Sequence, residues 1–232
     1  MNTAESYQLY LSFFKVYVLP HLPKDKKIKI LDIGCGAGHL LYALREEGYT
    51  DCLGIDLSKE QIDKAKKELE RVELFDAFQY LPHHKNEFNV ITLFDVAEHF
   101  DKNTLLALLK EINSSLQSSG ILIIHTLNGW SPFSHFYFFG DLSHQQLYSP
   151  KTLGTMALLA NFREYYYFPS APEYLRKPES ITSSRSLFQF FLRLIQWILW
   201  HLVSRLYGVI VYIAIGKHPK VYTPNFIIVC KK

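Results

Sequence analysis

The glycine turn Gly34-Cys35-Gly36-Ala37-Gly38, set between an apolar strand and a helix, constrains this chain of 232 residues more than any other feature. Ile28-Lys29-Ile30-Leu31-Asp32-Ile33 is a short apolar run that feeds straight into the turn. His39 to Glu47 then follows with helical spacing, closed by Gly48. Glycines at alternate positions let the backbone turn sharply after a strand and approach a ligand with no Cβ in the way. A ligand held there lies at the carboxyl ends of the strands, beside the N-terminus of the following helix.

Asp56 falls at the end of the second strand, about 20 residues beyond the glycines, where a carboxylate can accept both ribose hydroxyls of a nucleoside. Strand, turn, helix and acid together specify an adenosine-type cofactor. A dinucleotide needs a longer G-x-G-x-x-G pattern, and His39 occupies its third glycine position. Asp32, at the mouth of the turn, repels a pyrophosphate but suits a cofactor that carries a sulfonium and an α-amino group. Nicotinamide binding is therefore the runner-up.

The same alternation runs on along the chain. Ala4 to Val18 is an amphipathic helix stopped by Pro20. Strands are expected at Cys52 to Asp56, Val72 to Phe75, Phe88 to Phe94 and Ile121 to Thr126, the last introduced by Ser118-Ser119-Gly120. Helices are expected from the Ser58 cap to Leu69 and over Asn103 to Leu116. Trp130 to Tyr148 is looser, followed by a helix over Pro150 to Ala160, a strand over Phe162 to Phe168 and a loop from Pro169 to Pro178. A last strand runs from Val221 to Val229, broken near its start by Pro224. The expected fold is α/β: a Rossmann-like, seven-stranded, mainly parallel sheet with helices on both faces and a helical insertion before the last strand.

Length favours one domain, residues 1–232, with an N-terminal helix in 1–26, a cofactor-binding core in 27–126 and an acceptor-side half in 127–232. A net charge of +3 lacks the concentrated basic stripe that phosphate-backbone binding requires, so nucleic acid is not an expected partner. Cys35, Cys52 and Cys230 are scattered, with neither disulfide nor zinc spacing, which fits a reducing cytoplasm. The N-terminus does not read as a signal peptide.

Leu31-Asp32-Ile33-Gly34-Cys35-Gly36-Ala37-Gly38 resembles the first motif of the class I S-adenosylmethionine-dependent methyltransferases. Gly54-Ile55-Asp56-Leu57-Ser58 is similar to that family's second-strand segment, Asp76-Ala77 to its adenine-side segment, and Phe94-Asp95-Val96-Ala97-Glu98-His99-Phe100 to its fourth-strand segment. The resemblance covers roughly 27–126. It implies S-adenosylmethionine as cofactor, bound by Asp32, Gly34, Cys35, Gly36, Gly38, Asp56, Leu57, Asp76, Ala77, Phe94 and Asp95. Asp56 would hold the ribose, Asp76 and Ala77 would flank the adenine, and Phe94 with Asp95 would hold the methionine moiety.

The Asp-x-x-Glu-His form of the fourth-strand segment is similar to the ubiquinone-biosynthesis type and to other small-molecule methyltransferases. Asp141-Leu142-Ser143-His144 with Tyr148 to Leu153 resembles a segment of bacterial methyltransferases associated with surface-polysaccharide synthesis. The expected acceptor is a hydroxyl on a small-molecule, sugar or lipid-linked substrate. A hydroxyl acceptor benefits from a base, and His144, His99 and His125 fall at strand ends or loops on the cofactor side. Glu98, His99, His125, Asp141 and His144 could instead gather a cation, but their spacing is not diagnostic and no metal is expected.

The apolar segment 186–216 is expected to form an amphipathic helix rather than a membrane span. Phe191, Leu192, Ile195, Leu199, Leu202, Val203, Leu206 and Ile210 share one face, while Arg185, Gln189, Arg193, Gln196 and Ser204 lie opposite. That face meets a membrane surface, the protein core or a second copy in a homodimer. The location expected is cytoplasmic, with peripheral membrane contact through this segment. A membrane-associated binding protein of the same fold, without turnover, is a third alternative.

Overall fold

A computed structural model describes residues 3–170, 184–216 and 223–232. The N-terminal helix α1 (Thr3–Tyr17) precedes an alternating series: β1 (Lys29–Ile33), α2 (His39–Glu46), β2 (Asp51–Asp56), α3 (Lys59–Ala65) and β3 (Val72–Leu74). It continues with α4 (Ala77–Tyr80), β4 (Phe88–Phe94), α5 (Lys102–Ser115), β5 (Leu116–Leu127), α6 (Ser134–Phe138) and α7 (Pro150–Leu159). The chain closes through β6 (Glu164–Ser170), α8 (Ser184–Ile215) and β7 (Asn225–Lys231).

The seven strands form one sheet in the order β3-β2-β1-β4-β5-β7-β6. The first five are parallel, and β7 pairs antiparallel with both β5 and β6. The sheet is buried on both faces, so its strands read as nearly continuous apolar runs. Ile30, Val90, Ile123 and Ile227 point to the side covered by α1, α2 and α3. Leu31, Ile91, Ile124 and Ile228 point to the side covered by α4, α5 and α7. The expected seven-stranded α/β fold is present, including the helix before the last strand.

Helix starts follow local chemistry. Ser58 caps α3 by accepting from Gln61 N at 3.3 Å, Asp101 caps α5 through Asn103 N at 2.8 Å, and Ser149 caps α7 through Thr152 N at 3.1 Å.

Several expected boundaries move. Helix α3 ends at Ala65 rather than Leu69. Helix α5 passes directly into β5, and Ser118-Ser119-Gly120 lies inside that strand, where the register shifts between Phe88 and Val90 on the neighbouring β4. Pro169 belongs to β6, pairing with Phe226, rather than to a loop. The position is tolerable because β6 is an edge strand, where a missing N–H costs little. Strand β7 starts after Pro224. The remainder of the expected loop up to Pro178, positions 221–222, and the side chains of Arg185, Gln189 and Arg193 lie outside the described residues.

Helix α8 corrects one alternative for its apolar face. Leu192, Ile195, Leu199, Leu202 and Leu206 are exposed, so this face does not pack against the core.

Candidate functional site

The glycine turn leaves β1 with three successive alternate residues in the left-handed region: Gly34 at φ 70°, Gly36 at 53° and Gly38 at 84°. Ile55 carbonyl accepts from the amides of Gly34 and Cys35 at 2.8 and 3.1 Å, fastening the turn to β2. A Cβ on Gly34 would lie 2.4 Å from Val96 Cγ2, whereas one on Gly36 would meet nothing within 4 Å. Gly34 is therefore needed for packing, and Gly36 faces open space. Asp56 stands at the end of β2 and accepts from Gly36 N at 2.8 Å and from Ser58 N at 2.7 Å. The acid thus ties the turn to the start of α3, with carboxylate lone pairs left over.

A cavity of about 760 Å³ opens beside the turn. That volume lies within the roughly 300–1,000 Å³ usual for small-molecule sites. Asp32, Gly34, Cys35, Gly36, Phe94 and Asp95 line one end, and His125 and His144 line its walls as well. Gly38, Asp56, Leu57, Asp76 and Ala77 stand outside those walls, as does His99. Leu57 is exposed, and the Asp76 carboxylate caps α4 by accepting from Phe78 N at 2.7 Å.

The cavity's described lining holds four carboxyl groups, those of Asp32, Asp95, Glu98 and Asp141, and neither lysine nor arginine. Such a donor set fits a ligand that brings its own positive charge, as a sulfonium with an α-amino group does, and disfavours a pyrophosphate. Asp32 is buried and accepts from Thr92 Oγ1 at 2.7 Å. Burial pushes its pKa up to about 7, with Thr92 opposing and the Asp56 charge adding to the rise. Glu98 accepts from Thr126 Oγ1 at 2.7 Å, and burial with the neighbouring Asp95 charge pushes it to about 7 as well. Burial likewise raises the Cys35 thiol, which leaves it unreactive.

Asp95 follows β4 at φ 53°, a left-handed conformation that a non-glycine residue holds at a cost of order 1–3 kcal/mol and that clusters at functional sites. Its carboxylate meets His125 Nδ1 at 2.7 Å, and 62% of its side chain remains accessible because it faces the cavity. Asn225 Nδ2 lies 3.2 Å from His125 Nε2, so both ring nitrogens of His125 are engaged. Burial of His125, and the recessed position of Asp95 in the cavity, oppose the charged form of each partner. Their mutual attraction outweighs this, holding Asp95 below and His125 above the ordinary range.

The loop between β5 and α7 carries the remaining groups. Gln145 N and Gln146 N donate to the Glu98 carbonyl at 2.8 and 3.1 Å, which pins His144 over the cavity. His144 Nδ1 is 3.1 Å from the Phe138 carbonyl, a group that only accepts. The neutral imidazole therefore carries its proton on Nδ1 and keeps the Nε2 lone pair. His99 packs beside it, ring centroids 4.8 Å apart, but its Nδ1 turns to Ser143 Oγ at 3.0 Å. Among the described residues no three of the candidate acids and histidines gather closely enough to hold a metal ion.

Three parts of the site had weak signals in the sequence. Helix α1 forms a wall of the cavity through Tyr10, Phe13 and Phe14, and Tyr7 Oη donates to Ala37 O of the turn at 2.7 Å. Its aromatic spacing marked a helix but not what the helix covers. Ser170 and Asn225, paired across β6 and β7, also line the cavity, Asn225 beside His125. Ser170 Oγ is buried there and has no hydrogen-bond partner among the described residues. Only the pairing of distant strands brings these two to the site.

Residues 8–165 match a protein family described as a methyltransferase domain. The chain is 36% identical over 107 residues to a ubiquinone biosynthesis O-methyltransferase of Pelagibacter ubique, a match covering 44% of this chain and 43% of that protein. It thus spans less than half the length of that relative. The fold is similar to a crystal structure of a SAM-dependent methyltransferase from Archaeoglobus fulgidus, with TM-score 0.69, 22% identity, and 97% and 94% of the two chains covered. It is also similar to Haemonchus contortus phosphoethanolamine N-methyltransferase 2 in complex with S-adenosyl-L-methionine, with TM-score 0.61, 18% identity, and 98% and 57% covered.

Proposed function

The chain belongs to this methyltransferase-domain family, and from that premise we propose that it methylates a hydroxyl group of a small-molecule, sugar or lipid-linked acceptor, with His144 as the base. The class I fold is a property of the chain; S-adenosyl-L-methionine as donor, the acceptor and the residue roles are our reading. When bound, the donor supplies a methyl group already activated on a positively charged sulfur.

The glycine turn would cradle the donor, with Gly36 leaving room for it. Asp56 would take the ribose hydroxyls through its spare lone pairs. Asp32 and Asp95 would face the charged methionine end, and His125 would hold the Asp95 carboxylate in place from behind. Because the donor is activated, the chain's own task is to align the acceptor and exclude water. Helix α1 covers the cavity with Tyr10, Phe13 and Phe14 for the second purpose. His144, with Nε2 unprotonated, would take the proton that the acceptor hydroxyl loses.

One observation carries this reading: a single cavity joins the glycine turn to His144. The test is transfer of labelled methyl from S-adenosylmethionine to extracted cell-envelope material, followed by analysis of the methylated atom. A methyl ether is expected; label on an amine nitrogen or in a methyl ester would overturn the hydroxyl assignment.

A further inference from the structure

Helix α8 runs unbroken over Ser184–Ile215, and within it Phe190–Ala214 is long and apolar enough to cross a bilayer while only 11% of its apolar window is buried. Its two faces differ. One rests on the domain: Trp200 packs on Phe133 with ring centroids 4.4 Å apart, and Tyr207 Oη donates to Trp130 O at 3.1 Å. The other shows an aliphatic stripe in which Leu192, Ile195, Leu199, Leu202, Leu206 and Ile213 are 45–78% exposed. At a rise of about 1.5 Å per residue, this stripe extends for about 30 Å.

The connections decide how such a helix can meet a membrane. The excursion leaves the sheet at Ser170 and returns at Asn225, and these two residues are paired. A single crossing would put the ends of α8 on opposite sides of the bilayer, while its flanking strands lie side by side. Arg205, exposed near the middle of the apolar stretch, would add a cost of about 2.5–3.5 kcal/mol at the bilayer centre. The domain contacts of Trp200 and Tyr207 fall mid-helix, which lays α8 along the domain rather than pointing away from it.

We propose that α8 is an in-plane membrane-docking helix that brings the mouth of the methyl-transfer cavity to an anionic lipid surface. Charge selects lipid over a second copy of the chain. Residues 180–224 hold five lysines and arginines and no aspartate or glutamate, so two such segments repel each other while an anionic bilayer attracts them. The segment that follows Phe133, the residue on which Trp200 packs, adds further exposed apolar side chains. Phe136, Phe139 and Leu142 are each at least 76% exposed, and Phe136 with Asp141 and His144 also lines the cavity. Docked through both features, the protein opens its acceptor end at the level of lipid headgroups. The acceptor is then an amphiphile whose hydroxyl lies in that layer; this acceptor class rests on the methyl-transfer reading above, whereas the docking does not.

The test is flotation of the full-length protein with vesicles of phosphatidylcholine alone or mixed with phosphatidylglycerol. The protein should rise with the anionic vesicles, and added salt should weaken the association without abolishing it. Leu199→Glu with Leu206→Glu should lower the bound fraction about tenfold or more, with S-adenosylmethionine binding by calorimetry unchanged as proof of folding. Intact protein that binds the donor yet stays at the bottom with both lipids overturns the docking. So does a dimer in light scattering that the double variant converts to monomers, because the stripe is then a subunit interface. Flotation without label in the lipid extract sinks the amphiphile acceptor and leaves the docking standing.

Discussion

His125 Nδ1 lies 2.7 Å from a carboxylate oxygen of Asp95, joining the C-terminal end of β5 to the residue that follows β4 in a strained left-handed turn. The contact sets a pH window. Asp95 has a depressed pKa, so its contribution to stability is present above the ordinary aspartate value and is lost as pH falls through the lowered one. His125 has a raised pKa, so its contribution is complete below the ordinary histidine value and is lost as pH rises through the raised one. Stabilisation by the pair is therefore greatest between about pH 4 and 6.5. Asp95→Asn should cost about 1.5 kcal/mol in that window, the low end for a charged hydrogen bond because the carboxylate faces the cavity. Thermal unfolding followed against pH should show the difference from wild type shrinking at both ends of the window; a constant difference would mean that the pair is not ionised.

The glycines of the turn should separate by mechanism. In Gly34→Ala the new methyl meets Val96 Cγ2, and the positive φ adds strain. The variant should lose about 2–4 kcal/mol of stability from overpacking and backbone strain together. Gly36→Ala meets no protein atom, so it should lose only about 1–2 kcal/mol, from φ alone, while its methyl enters the space meant for the donor. Calorimetric titration should find donor affinity reduced at least about tenfold in Gly36→Ala, equivalent to about 1.4 kcal/mol. Equal affinity in that variant would place the donor elsewhere.

Burial holds Asp32 at about pKa 7, so near neutrality a large fraction is protonated before a cation arrives. In the free protein the raised pKa makes its contribution to stability complete below the ordinary aspartate value and lost as pH rises through about 7. Binding of a positively charged donor favours the carboxylate and should release a proton. Affinity for S-adenosylmethionine should therefore rise with pH below 7, by at most about tenfold per unit for one group, and flatten above. Asp32→Asn should remove this slope relative to wild type, a comparison in which the titration of the donor's own amino group cancels. If the slope survives in Asp32→Asn and vanishes in Glu98→Gln, the proton belongs to Glu98, which burial and the Asp95 charge hold near the same value.

Most of the sheet and its parallel half were legible because each element there carries a local signature. Ile30-Leu31 and Val90-Ile91 are apolar on both faces, Ser58 announces a helix start, and three alternate glycines mark a tight turn. The site's donor end followed from those same residues. Its acceptor end did not. Ser170 and Asn225 meet only because two antiparallel strands pair across an excursion of more than fifty residues. Glu98 looked like any acid near a helix start until packing buried it, and α6 has too few residues to leave a periodic trace. The exposure of α8 was likewise invisible, because an apolar face looks the same in sequence whether it meets a core or faces outward.

His144 provides the sharpest test of the chemistry. Its Nδ1 proton is committed to the Phe138 carbonyl, and the amides of Gln145 and Gln146 anchor the following residues to Glu98, so the ring is held with Nε2 as its free acceptor. General-base removal typically costs about 10²- to 10⁴-fold in rate. His144→Ala should lower kcat for methyl transfer within that range while donor affinity stays within about twofold, since the group acts on the acceptor. His99→Ala should cost far less, because His99 stands outside the cavity, packing against the His144 ring and meeting Ser143. Added imidazole should restore part of the turnover of His144→Ala by occupying the vacated space, an effect that lost packing alone cannot produce. Turnover of His144→Ala equal to wild type would assign the proton to solvent or to the acceptor itself, and would leave the ring with the role of shaping the cavity wall.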